Sequence, residues 1–178
     1  MDFKRSIYIA DLALLHEAAH AWVILRYANM PVTIVLPSSP LSKEDPRCEW
    51  NSEEWFDKTG ESAIVVTIAL SGLAAELNAG VPEYIAWKNA EEDIFSLTKS
   101  GLPRQDIPPL LMKVRGVLND DRFFEFLEWV KRERTQHGLR MSLTPDILEK
   151  ITSIDDLLHR QECRVASRRD PRLYLYRK

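Results

Sequence analysis

Cysteine is nearly absent from this 178-residue chain, which holds only Cys48 and Cys163. Two cysteines so far apart exclude the disulfide framework of a small secreted domain and form no metal-binding spacing with each other. The cytoplasm is therefore the expected compartment. Internal repeats and low-complexity tracts are also lacking, which excludes solenoid and linker-like architectures. The longest apolar run, Ala63 to Leu70, falls well short of the roughly 20 residues that cross a bilayer. The N-terminal stretch starts basic but is cut by Asp11 and runs straight into His16 and Glu17, unlike a signal peptide. No membrane span is expected. Nor is there a Walker-type G-x-x-x-x-G-K, so no ATPase module is expected in these residues.

What is present is ordinary globular material, 45% hydrophobic and 29% charged, enough for a single domain with a sizeable core. The net charge of -3 is unevenly spread: His159 to Lys178 carries +5 and the rest -8. The arginines of this tail recur at helical intervals, the pattern of a solvated face, and no nucleic-acid partner is expected.

Periodicity divides the chain. Leu12, Leu15, Ala19, Trp22, Val23 and Arg26 recur at three- and four-residue steps, predicting a partly buried helix from about Ser6 to Tyr27 that stops at Asn29 and Pro31. Val32 to Leu36 is β-branched and bounded by prolines, a short strand. Pro37 to Lys58, with three prolines, Trp50 and Trp55, predicts a long surface excursion with room for a hairpin. Helices are expected over Glu61 to Asn78, from Asn89 or Ala90 to Ser100, over Ile107 to Leu118, over Arg122 to Gln136 and from Pro145 onward. The expected class is mostly α with a small β-sheet. We read residues 1–178 as one domain, with 1–105 forming a metal-site core and 106–178 a wholly helical C-terminal part with a basic tail.

The chemistry-bearing motif is His16-Glu17-Ala18-Ala19-His20, an H-E-x-x-H on a predicted helix. Residues four apart share a helix face, so two imidazoles can converge on one zinc ion while Glu17 serves a water molecule as general base. With four His and 15 Glu in the chain, independent placement gives about 0.007 such motifs, which makes accident a poor explanation. A catalytic zinc typically takes three protein ligands and keeps one open position. The metzincin extension is absent, since Val23 and Arg26 stand where Gly and His belong. The remaining histidines, His137 and His159, lie in charged contexts. Glu76, among small apolar residues, and Asp93, at a helix start, are the better candidates.

Four blocks in order resemble the peptidase domain of FtsH-type membrane AAA proteases: His16-Glu17-Ala18-Ala19-His20-Ala21, Val32-Thr33-Ile34, Gly72-Leu73-Ala74-Ala75-Glu76 and Ala90-Glu91-Glu92-Asp93. The family patterns run HEAGHA, VTI, GRAAEE and GAxND. The resemblance spans roughly Leu12 to Thr98. It implies a zincin-like metallopeptidase fold in which His16, His20 and Asp93 hold Zn2+, Glu17 is the general base and Glu76 orients one histidine. It further implies that Val32, Thr33 and Ile34 border the cleft and bind an extended polypeptide substrate by strand addition. Ala19 replaces the family's Gly and Leu73 its Arg. With no ATPase module in these residues, the expected activity is ATP-independent zinc endopeptidase action on unfolded or flexible segments, or on substrates fed by a separate ATPase or adaptor.

Two other readings use the same residues. A catalytically silent adaptor would dock through Trp50, Trp55 and the basic tail. A regulator-cleaving peptidase of the phage or stress type would gain weight if Glu76 rather than Asp93 bound the metal.

Overall fold

A computed structural model describes residues 9–36, 45–59, 62–137 and 140–151. Helix α1 (Ile9–Val23) runs on through a π-helical turn, Ile24–Ala28, and stops where Asn29 takes the left-handed conformation (φ 53°, ψ 42°). Asn adopts that region more readily than most residues, so the expected stop signal acts for an identifiable reason. Instead of presenting one apolar stripe, α1 is buried on nearly every side from Leu14 to Leu25. A helix apolar all round belongs in the middle of a fold, and this one forms its axis.

Three layers surround that axis. Helix α3 (Ser62–Asn78) makes the most extensive packing against α1, and the small residues Ala18, Ala21, Gly72, Ala74 and Ala75 are all buried in these two helices. Small side chains let helix backbones approach closely, and the polar groups of both helices meet here. Helix α6 (Ile107–Val117) lies on α3, while α7 (Asp121–His137) lies on α1. Phe123 of α7 meets Trp22 edge to face, with centroids 5.7 Å apart. The short helices α4 (Glu83–Asn89) and α5 (Glu91–Lys99) also pack on α3, joined only by Ala90.

The third layer is an antiparallel sheet of three strands in the order β2-β1-β3, with β1 at Val32–Val35, β2 at Arg47–Glu49 and β3 at Arg140–Leu143. Ile34 lies opposite Cys48 on one side and Met141 on the other. The mostly helical class with a small sheet is therefore observed. Three expectations change. The C-terminal part is not wholly helical, because Arg140–Leu143 is a strand; its burial alternates along the chain, but four residues carry too little period to stand out between helices. Since β3 completes the sheet of the N-terminal part, residue 105 is no boundary of the fold. The Pro37 to Lys58 excursion contains not only β2 but also helix α2 (Ser52–Thr59), whose Trp55 is buried in the core. Of the remaining expectations, the helix start at Ser6, the segment 37–44 and the basic tail lie outside the described residues.

Candidate metal centre

His16, Glu17 and His20 sit in the middle of α1, and all three are buried. Histidines four apart on one helix face share a direction, and here their rings lie 4.8 Å apart at 66°. Each ring is held from behind by α3. Nδ1 of His20 donates to the carbonyl oxygen of Ile68 at 2.7 Å and lies 3.1 Å from Oγ of Ser71, which itself donates to that carbonyl. A carbonyl only accepts, so the proton of a neutral His20 is on Nδ1 and the lone pair is on Nε2. Nδ1 of His16 donates to Oε1 of Glu76 at 2.8 Å, and the other carboxylate oxygen accepts from Nδ2 of Asn89 at 2.9 Å. These contacts satisfy Glu76, which is only 1% exposed.

On the opposite side the two Nε2 atoms face Asp93, in the first turn of α5. Its Oδ2 lies 3.2 Å from Nε2 of His16 and 3.4 Å from Nε2 of His20. The three donor atoms all lie within 4.8 Å of one another, and among the described residues this is the one group of three or more such side chains suited to a metal ion. Two imidazole lone pairs cannot face a carboxylate oxygen at this range without a proton or a cation between them. With protons alone, burial disfavours charge on His16, but hydrogen bonds to Asp93 and Glu76 outweigh it and lift its pKa to about 10. Burial also works against the Asp93 carboxylate, yet the two histidines hold it well below the usual range. A divalent cation answers the same electrostatic demand, and two imidazole nitrogens with one carboxylate oxygen form a donor set suited to zinc.

Glu17 shares this environment. Burial raises its pKa, opposed by the nearby His20 and His16, while Asp93 and Glu76 add to the rise. Its carboxylate has no hydrogen-bond partner among the described residues, so its proton-accepting oxygens are uncommitted. Cys48 of β2 reaches the same turn of α1, its Sγ 3.5 Å from the backbone oxygen of Glu17, and burial pushes its thiol pKa up.

The structure thus brings together His16, Glu17, His20, Glu76 and Asp93, with Glu76 on the Nδ1 side of His16 and Asp93 on the Nε2 side. His137 ends α7, and His159 lies outside the described residues. Strand addition at Val32, Thr33 and Ile34 is overturned: β1 is the central strand, and β2 and β3 occupy both of its hydrogen-bonding edges. Val32–Val35 is a strand as its β-branched residues predict, but a strand's neighbours are set by topology that its own residues do not encode. Trp50 and Trp55, the suggested docking features, pack against each other with centroids 6.2 Å apart.

Sequence reasoning missed four contributors: Ile68, Ser71, Gly72 and Asn89. The spacing of 68, 72 and 76 on one face of α3 is the signal that points to the first and third of them. At Gly72 an added Cβ would stand 2.2 Å from Nε2 of His16 and 2.4 Å from its Cδ2 and Cε1. Comparison with protein-family models, curated proteins and solved structures finds no match to this chain.

Proposed function

We propose that this chain is a zinc metalloendopeptidase of the cytoplasm that cuts unfolded or flexible polypeptide segments without ATP, in the manner of the peptidase domain of FtsH-type proteases. One observation carries the reading: Nε2 of His16, Nε2 of His20 and Oδ2 of Asp93 converge beside a buried glutamate whose carboxylate is uncommitted. Three of the four sequence blocks that resemble that family contribute to this centre, and the fourth is the strand β1 that packs beside α1.

His16, His20 and Asp93 would hold the ion. When bound, zinc supplies Lewis acidity toward a water molecule and toward the carbonyl of a peptide bond. The remaining work falls to the chain. Glu17 takes a proton at its carboxylate and returns it to the departing amine, a task favoured by the rise in its proton affinity on burial. Ile68, Ser71 and Glu76 fix the ring orientations, so that Nε2 of each imidazole would be presented to the ion beside Asp93. A folded substrate would have to be delivered by a separate ATPase or adaptor.

The test is Glu17→Gln on the zinc-loaded protein, with digestion of casein and of a peptide library as the readout. Zinc content should stay stoichiometric while turnover falls by about 10²–10⁴-fold. Undiminished cleavage by the variant, or no cleavage of any unstructured substrate by zinc-loaded wild type, overturns the reading.

A further inference from the structure

Gly72 lies in the interior of α3, where glycine is a poor choice: an alanine there would hold the helix better. Its backbone is ordinary helix with no positive φ, so conformational freedom does not explain it. The surroundings do. The three atoms nearest a Cβ at this position are Nε2, Cδ2 and Cε1 of His16, at 2.2, 2.4 and 2.4 Å, where real Cβ contacts stay beyond 3.0 Å.

A flexible side chain would step aside at little cost, but this ring has nowhere to go. It is 7% exposed, pinned through Nδ1 to Glu76 at 2.8 Å and turned through Nε2 to Asp93 at 3.2 Å. A methyl group at 72 would therefore either break both contacts or force α1 and α3 apart. It would also crowd Nε2, the atom with which His16 would bind the ion.

From this we infer that Gly72 is a positioning residue for the metal centre: the missing side chain is the slot into which α3 admits the His16 ring and leaves its donor atom clear. The inference rests on the zinc reading and makes separate demands of its own.

Two measurements test it. In the first, zinc affinity is measured by chelator competition for wild type and Gly72→Ala. The alanine variant should bind at least about tenfold more weakly, the scale of a lost orienting contact. In the second, thermal unfolding is followed in excess chelator for wild type, Gly72→Ala, His16→Ala and the double variant. Alanine at 72 should lower Tm when His16 is present and raise it when the ring has been removed, because only helix propensity is then left to act. If Gly72→Ala does not fold, the double variant should.

A rise in Tm in both backgrounds with unchanged zinc affinity overturns the inference and leaves the zinc reading standing. A fall in Tm in both backgrounds, or a double variant that also fails to fold, overturns it too. Wild type that binds no zinc overturns the zinc reading and the positioning role together, even if the reversal of sign is seen.

Discussion

At the scale of single residues, the centre makes a sharp distinction between its two carboxylates. Asp93 faces the Nε2 atoms of both histidines, whereas Glu76 takes the Nδ1 proton of His16 alone. Asp93→Ala should therefore abolish stoichiometric zinc binding, while Glu76→Gln should keep the ion with an affinity lowered by about 10–100-fold. Metal analysis after gel filtration, followed by chelator competition, separates the two, and retained stoichiometric zinc in Asp93→Ala would show that Asp93 is not the third ligand. The paired histidines and the intervening glutamate were legible because a helix repeats its faces within four residues. Asp93 and Glu76 stood out as candidates from their own contexts, but their separate roles were legible only through the order of short blocks, since their partners lie 60 to 77 positions away. Gly72 shares a face of α3 with Ile68 and Glu76, but nothing in the sequence shows that this face meets His16. A glycine says nothing about what stands opposite until the facing helix is known.

At the scale of elements, α1 is held between α3, α7 and the sheet, so the rigidity of the centre depends on packing remote from it. Phe123 of α7 is 2% exposed and meets Trp22, two residues beyond His20. Phe123→Ala should cost about 3–5 kcal/mol, read from the midpoint of denaturant unfolding with zinc held saturating; a loss under about 1 kcal/mol would mean that the site collapses without harm. The long helices were readable from length and pattern: α7 repeats an apolar face over several turns, whereas α3 is an apolar stretch too long for a strand. Helices α2 and α4, at eight and seven residues, and strand β3, at four, are too short for period to declare them. Their conformations come from where the tertiary structure puts them, as with Trp55, which enters the core from a segment whose prolines and acids suggest surface.

At the scale of the whole molecule, the proposed ion joins α1 to α5, two elements separated by more than sixty residues of chain. Binding to the folded state alone stabilises it by mass action, about 4 kcal/mol at free zinc some thousandfold above the dissociation constant. For a chain of this size that corresponds to a rise in Tm on the order of 10 °C. Differential scanning calorimetry with zinc and with excess chelator should show this gap, and coincident curves would mean that no ion links the helices. The central place of β1 has a further consequence for synthesis. Its partner β3 leaves the ribosome more than a hundred residues after β1 itself, so throughout that interval the nascent chain offers a row of unsatisfied amides and carbonyls to any passing strand. Until Leu143 has emerged, the growing polypeptide carries a sticky seam that only its own late arrival can close.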